Sequence, residues 1–582
     1  MPAANPASVY HLPDGLSADL AKLRGMIEGL KAKRVPPADL RAFLAPLGVY
    51  EQREADTYML RVRLPAGIVL PHQMRALAKA ARRHGNGALH VTTRQDVQVH
   101  RVPLDSIHPA LIELLAASLS TKGGGGNTVR NVTACPDAGV CPGEAFDVSP
   151  YAIAVTEFLL PDPLSHQLPR KFKIAFSGCG RDCAGTAVND AGFAARRRGE
   201  EIGFAVYVAG GMGARSRVGG LLEEFIPAGE ACLVAEAVKR VFDKHGNRKD
   251  RHKARLRFLV ERIGHERFRE LYEAELSDLK RSLPRAPEIR ETPRRERAAA
   301  EPGPAAELDE GFLTWRRRNT SSQKQPGFFL VHVPLFLGDI PADALEKLAD
   351  VVEAQGEGLA RATQQQNFVL RWVRETELPI VHSKLREIAL AETPAPVLRN
   401  IIACAGASTC KLGICLSRGL ARAVIEKIER QVAALDELGD LKIHISGCPN
   451  ACGRHPLASV GLFGVALRHE GKLVPHYVAQ IGGSAGGGRT RLAEGKTAVP
   501  ARNVPAFIAE FLEAFRKSRE YPDFQAFVEA DGREIARSIA EKHKGIPPFD
   551  EDKNSYYDWG AADLFSLAGR GPGECGAPGS ST

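Results

Sequence analysis

Nowhere does this 582-residue sequence hold an apolar run near the ~20 residues that a membrane-crossing helix needs. Met1 to Leu20 lack the basic cap and apolar stretch of a secretory signal, so a cytoplasmic location is expected and disulfides are not. No compact nucleic-acid-binding motif accompanies the formal charge of +9, made of 78 basic and 69 acidic residues. The excess therefore suits an acidic protein partner or anionic ligands better than a nucleic acid. No GK[ST] follows the four glycines Gly123 to Gly126, which read as a loop and not as a phosphate cradle. No flavin or nicotinamide domain is evident, so a redox role would draw electrons from another protein.

What the chain does have is eleven cysteines, eight of which repeat. Arg130-Asn131-Val132-Thr133-Ala134-Cys135 returns as Arg399-Asn400-Ile401-Ile402-Ala403-Cys404. Cys135, Cys141, Cys179 and Cys183 each recur 269 residues later, as Cys404, Cys410, Cys448 and Cys452. Clustered thiols outside an oxidising compartment mean metal or redox chemistry. Four thiolates from two short loops suit an iron–sulfur cluster, whose irons each take a soft sulfur ligand. Zinc ribbons usually pair cysteines as C-x2–4-C, which the C-x5-C spacing does not match; a zinc site and plain buried thiols are the alternatives. Cys232 and Cys415 fall where helices are expected, Cys415 on the helix after Cys410, and read as packed thiols.

Around the cysteines the sequence reads as an internally duplicated α+β protein. Residues 1–50 form a helical lead-in with its helix at Leu16 to Lys33. Met59 to Leu64 alternates apolar and basic residues like a half-exposed strand. His72 to His84 reads as helix, Ala88 to Val99 as strand and Ile107 to Leu119 as helix, giving a ferredoxin-like unit over 51–119. A second such unit spans 313–390. There Phe328 to Pro334 aligns with the first strand (Pro65 and Pro334 are again 269 apart), followed by helix Ala342 to Glu353 and strand Ala360 to Val373. Each unit leads into a cysteine module, 120–280 and 391–540. Arg251 to Lys280 reads as a helix closing the first half, 281–312 as a solvated linker and 541–582 as a C-terminal tail. Gly210-Gly211 and Gly482-Gly483 follow a strand in each module and mark turns or close approach of a flat cofactor.

These residues carry a resemblance. Cys404-Ala405-Gly406-Ala407-Ser408-Thr409-Cys410, with Gly447-Cys448-Pro449-Asn450-Ala451-Cys452-Gly453, is similar to the siroheme- and [4Fe-4S]-containing nitrite and sulfite reductases. So are Arg63-Leu64-Pro65-Ala66-Gly67, Thr93-Arg94-Gln95, Arg130-Asn131-Val132 and Leu168-Pro169-Arg170-Lys171-Phe172-Lys173. The similarity runs from about Gly48 to about Lys542. It implies a [4Fe-4S] cluster on Cys404, Cys410, Cys448 and Cys452, with Cys452 also axial to the siroheme iron. It further implies that Arg63, Arg130, Lys171 and Lys173 bind the oxyanion and help protonate its leaving oxygens, with Arg94 and Gln95 at the cofactor.

One departure stands out. The family's first half usually keeps the fold and loses the cluster ligands, yet here Cys135, Cys141, Cys179 and Cys183 all remain. They read either as a second cluster site or as inherited thiols packed like small apolar residues. At an offset of 269, Arg63 faces His332 and Lys171 faces Asp440, so a second siroheme is not expected. The implied activity is six-electron reduction of sulfite to sulfide, with nitrite to ammonia as the alternative. Sulfite is favoured by Thr409; Glu574-Cys575-Gly576 resembles the mobile end of sulfite-producing phosphoadenylylsulfate reductases and would tilt the same way, with an incidental thiol in a disordered tail as the alternative. The expected electron donor is ferredoxin, with a flavoprotein subunit as runner-up. A non-catalytic iron–sulfur electron carrier is the competing class, and it would have no need of the basic quartet.

Overall fold

The protein is described from a computed structural model, which covers residues 8–283, 287–291, 309–486 and 489–571. Cys575 and most of the expected linker lie outside the described residues. The chain divides into two compact units: Met1–Gly211 with Arg217–Thr393, and Met212–Ser216 with Pro394–Thr582. The first unit contains both ferredoxin-like halves and the first cysteine module; the second contains the other cysteine module. Among the described residues no helix is long and apolar enough to cross a membrane.

In the lead-in helix Leu16–Lys31, Leu16, Leu20, Leu23 and Ile27 recur on one face and are buried. Strand Thr57–Val62 follows, with Leu60 and Val62 in the core and Arg61 half-buried. The stretch expected as one strand, Ala88 to Val99, is two: Ala88–Val91 and Val97–Pro103 pair antiparallel across a tight turn. The second half repeats this, with Ala360–Ala362 and Phe368–Arg374 where one strand was expected. Gln95 and Gln366 take left-handed φ of 61° and 63° in the two turns. Neither turn carries a glycine or proline, and the turn-type residues Asp96 and Asn367 come only at their exits, so the turn signal in the sequence is weak.

Each ferredoxin-like sheet borrows its last strand from the other half. The first runs Val49–Glu51, Thr57–Val62, Val97–Pro103, Ala88–Val91 and then Asp339–Pro341. The second runs Thr320–Ser322, Phe328–Val333, Phe368–Arg374, Ala360–Ala362 and then Ile68–Val69. The pairings are Ile340 with Leu89 and Ala360 with Val69.

The halves match in two registers. Thr57 and Phe328 open equivalent strands 271 residues apart, and Ala66 (φ 53°) and Leu337 (φ 52°) form equivalent kinks at the same interval. In the cysteine modules the interval is 269, as between Ala191 and Val460 at the start of equivalent strands. Pro334 therefore corresponds to Arg63 and His332 to Arg61, not Pro334 to Pro65 or His332 to Arg63. The registers differ by two residues that fall between Leu119 and Arg130, the stretch holding Gly123 to Gly126.

Each module is a five-stranded mixed sheet. In the first, Thr133–Ala134, Ile174–Ser177 and Ala191–Arg198 are parallel, and Glu201–Val208 and Gly220–Pro227 continue antiparallel. Parallel neighbours require a crossover, and helix Ser149–Leu159 lies between the first two strands in sequence. The second module repeats this with Ile401–Ala403, Ile443–Ser446, Val460–His469, Lys472–Ile481 and Glu494–Pro500. The expected helix Arg251 to Lys280 is instead two, Leu256–Ile263 and His265–Ser282, divided at Gly264 with φ 84°.

Residues 541–571 are not a tail. Tyr556 and Asp558 are buried, Asp558 accepts the Leu416 N–H at 2.6 Å, and Gly571 N–H donates to Lys411 O at 3.1 Å. Trp559 Nε1 donates to Ala501 O at 2.7 Å while Arg502 stacks on its ring. This segment straps the Cys410–Ser417 loop.

Candidate active site and cluster ligands

The glycine loop is built around arginines. Arg63 has no exposed surface; its Nε donates to Lys122 O (3.3 Å), Nη1 to Arg130 O (3.2 Å) and Nη2 to Val129 O (2.7 Å). Burying a guanidinium costs several kcal/mol, and charge-assisted bonds of about 1.5–3 kcal/mol each offset that. Arg130 is also buried and reaches Gly124 O and Gly126 O at 3.1 and 3.0 Å, while Arg61 reaches Gly124 O at 2.9 Å. A Cβ on Gly123 would strike the Arg63 guanidinium, and one on Gly125 would strike the Tyr50 hydroxyl. The glycines thus allow cationic side chains to thread the loop.

The basic quartet therefore splits. Arg63 and Arg130 are committed to main-chain carbonyls, whereas Lys171 and Lys173 are half-buried and flank the fully buried Phe172. Alternation along an extended chain puts both lysines on the face opposite Phe172, which stacks on Phe242 in the core. Lys173 is positioned through its backbone: its N–H donates to Asp190 Oδ2 at 2.9 Å, and its carbonyl accepts from Ala191. Arg255 holds the buried Asp190 carboxylate in a fork at 3.2 and 2.8 Å.

Arg94 and Gln95 lie on the hairpin turn. Arg94 donates to Asn189 Oδ1 (3.0 Å) and to the carbonyls of Asn131 and Ile174 (2.5 and 3.2 Å). Gln95 is wholly buried, donating to Ala362 O at 2.8 Å and accepting from Ala134 N at 3.0 Å. It ties the turn to the Cys135 loop. Asp96, which the sequence reading passed over, is buried beside them. Burial pushes its carboxyl up to about 6 against the pull of Arg61, Arg63, Arg94 and Arg130.

In the second unit Cys404 and Cys448 sit at the base of their loops while Cys410 and Cys452 reach the surface. Gly447 N–H donates to Cys404 Sγ at 3.2 Å, and Ser417 Oγ donates to Cys404 O at 2.8 Å. A backbone N–H···S contact of this kind orients a sulfur that would ligate a cluster iron. The soft donor set fits a [4Fe-4S] cluster. Cys415 lies just before helix Ser417–Gln431, not on it, and is fully buried against Val465 O and His476 O, which makes it a packed thiol as Cys232 is.

The first-half thiols are also gathered. Cys135, Cys141, Cys179 and Cys183 line one pocket with Asp137 and Arg181. S–H donation within the set lowers the Cys179 and Cys183 thiols and raises Cys135 and Cys141. Among the described residues no group of three or more His, Cys, Asp or Glu side chains is arranged to hold a single metal ion. Cluster ligands have a different geometry, each cysteine capping its own iron.

Comparison with known proteins agrees with this fold. The nitrite and sulphite reductase 4Fe-4S domain matches residues 125–280, and the nitrite/sulfite reductase ferredoxin-like half domain matches residues 50–117 and 321–388. The two half-domain matches start 271 apart, the interval of the strands. The chain is 31% identical to the assimilatory ferredoxin-dependent nitrite reductase of Haloferax mediterranei, over 89% of this chain and 90% of that one. It is 30% identical to the ferredoxin–nitrite reductase of Synechococcus elongatus, over 82% and 90%. The solved NirA protein of Mycobacterium tuberculosis superposes with a TM-score of 0.75 at 25% identity, over 89% of this chain and 95% of that one. The chain belongs to the siroheme- and [4Fe-4S]-containing nitrite/sulfite reductase family and is an oxidoreductase of that type.

Proposed function

We propose that this enzyme reduces nitrite to ammonia, with ferredoxin as electron donor: nitrite, six electrons and eight protons give ammonium and two waters. The observation that carries this reading is the run of relatives named as ferredoxin–nitrite reductases, two of them at 30% identity or more and covered over 90% of their length. It replaces the sulfite expectation, which leaned on Thr409 and on Cys575, a residue outside the described ones. Membership of an enzyme family also displaces the electron-carrier reading.

Bound siroheme and cluster would supply the electron path to the oxyanion, the cluster held by Cys404, Cys410, Cys448 and Cys452. The chain's own residues do the rest. Lys171 and Lys173 face the anion and carry protons to its leaving oxygens. Arg63 and Arg130 act as positioning residues that fix the glycine loop, and Arg94 and Gln95 fix the turn beside it. The net charge of +9 favours encounter with a small acidic donor by long-range steering. Eight thiols assigned to metal ligation suit a reducing, cytoplasmic location.

The test is steady-state reduction of nitrite and sulfite side by side, with reduced ferredoxin and with one artificial donor. A nitrite kcat/KM at least tenfold above that for sulfite with both donors supports the reading; the reverse order refutes it.

A further inference from the structure

We propose that Cys135, Cys141, Cys179 and Cys183 hold a second [4Fe-4S] cluster. The inference rests on the family membership but not on the choice between nitrite and sulfite.

The alternative is inherited packing, and the surroundings of these thiols speak against it. Cys232 and Cys415 show what a packed thiol looks like here: each is fully buried. The first-half set instead shares one pocket with Asp137, Glu144 and Arg181, and Cys179 and Cys183 are only half-buried. Backbone N–H groups face three of the four sulfurs: Gly178 reaches Cys135 at 3.4 Å, Gly143 faces Cys141 and Arg181 faces Cys179. The Arg181 guanidinium lies 3.1 Å from Cys141 Sγ. Such donors offset the negative charge that four thiolates bring to a cluster, and they set its potential.

The ligand loop is conserved in shape between the two modules, beyond the cysteines themselves. Gly178 N–H to Cys135 Sγ is matched by Gly447 N–H to Cys404 Sγ, and Cys135 N–H to Phe176 O by Cys404 N–H to Ile445 O. A further cation is also present. Arg361 is wholly buried, donates from Nη1 to Ser149 Oγ at 2.6 Å, and has no hydrogen-bond partner at Nε or Nη2. It acts electrostatically on Asp137, which lines the pocket. Two buried guanidinium donors without an acceptor are costly; Glu357, Asp147 and Asp137 offset the charge in part, and an anionic cluster at the pocket would add to that.

The test is the non-haem iron and acid-labile sulfide content of anaerobically purified holoenzyme, normalised to extracted siroheme. Two clusters give about eight non-haem irons per siroheme and one gives about four. A wild-type ratio near eight that falls to about four in Cys179→Ala/Cys183→Ala, with siroheme retained, supports the proposal. A wild-type ratio near four, or a ratio that stays near eight in the double variant, overturns it. Should the double variant not fold, the wild-type ratio decides alone, and Cys141→Ser provides the comparison. A preference for sulfite would alter none of these counts, so failure of the substrate reading is distinguishable.

Discussion

Gln95 and Gln366 exchange hydrogen bonds across the pseudo-twofold of the first unit. Gln95 Nε2 donates to Ala362 O at 2.8 Å, and Gln366 Nε2 donates to Val91 O at 3.1 Å, each reaching the end of the other half's hairpin strand. Both side chains are almost wholly buried, so each bond satisfies a carbonyl that water does not reach. The pair fastens together two sheets that already share strands. Gln95 additionally holds Ala134 N–H, next to Cys135. Gln95→Ala should therefore lower stability by about 2–4 kcal/mol and Gln366→Ala by about 1–3 kcal/mol. Denaturant melts of the two single variants check the order; equal losses would show that the Ala134 bond contributes nothing.

Lys173→Ala should reduce kcat by about 100-fold or more while siroheme and iron content change little, because a lost proton donor harms chemistry first. Its backbone anchor to Asp190 survives the substitution, so the fold around it is retained. Turnover at the wild-type rate with cofactors intact would remove the side chain from the anion site.

Asp96→Asn should stabilise the protein at neutral pH. The Asp96 carboxyl, at about 6 in the fold against an ordinary 3.8, favours the protonated form. Its ionised form therefore opposes folding above about pH 6, and the penalty fades as pH falls toward 3.8. The shift corresponds to at most about 3 kcal/mol. Stability curves for the two proteins should separate above pH 6 and converge near pH 4; a constant gap would mean that the carboxyl's charge is irrelevant.

Cys452→Ser should abolish joint assembly of siroheme and cluster, as the shared-ligand role that the resemblance implies for this sulfur requires. Visible absorption of the purified variant reports it, and an unchanged spectrum with full activity would reassign the bridging ligand.

Asp558→Ala should loosen the Cys410–Ser417 loop, because Asp558 holds the Leu416 N–H at 2.6 Å from a buried position. Faster cluster bleaching by a chelator, by several-fold, is the expected outcome, with the second unit still folded by circular dichroism. Identical bleaching rates would make the strap irrelevant to the cluster.

The cysteine sets, the duplication and the ferredoxin-like halves were legible because equal spacing and alternating hydrophobicity are properties of the chain itself. The turns at Gln95 and Gln366 were not, since left-handed glutamines carry no turn signal and the two strands of each hairpin read as one. The coincidence of Pro65 and Pro334 at 269 concealed the 271 register of the strands, which only pairing reveals. Arg63 illustrates a deeper limit. Its residue type suggests anion binding, but whether its five N–H groups meet a ligand or main-chain carbonyls depends on how the glycine loop closes over it. The same holds for Asp558, whose partner Leu416 lies far from it in sequence.

The loaned strands Ile68–Val69 and Asp339–Pro341 make each ferredoxin-like half a debtor to the other. Two unlinked copies could complete their sheets only by meeting, so their folding would rise and fall with concentration. Fusion in one chain replaces that encounter with a fixed effective concentration. It also constrains divergence: a change of register in either loaned strand would unmake the opposite sheet, whereas the stretch around Gly123 to Gly126, outside the exchange, differs by two residues in length from its counterpart and forms the arginine-threaded loop.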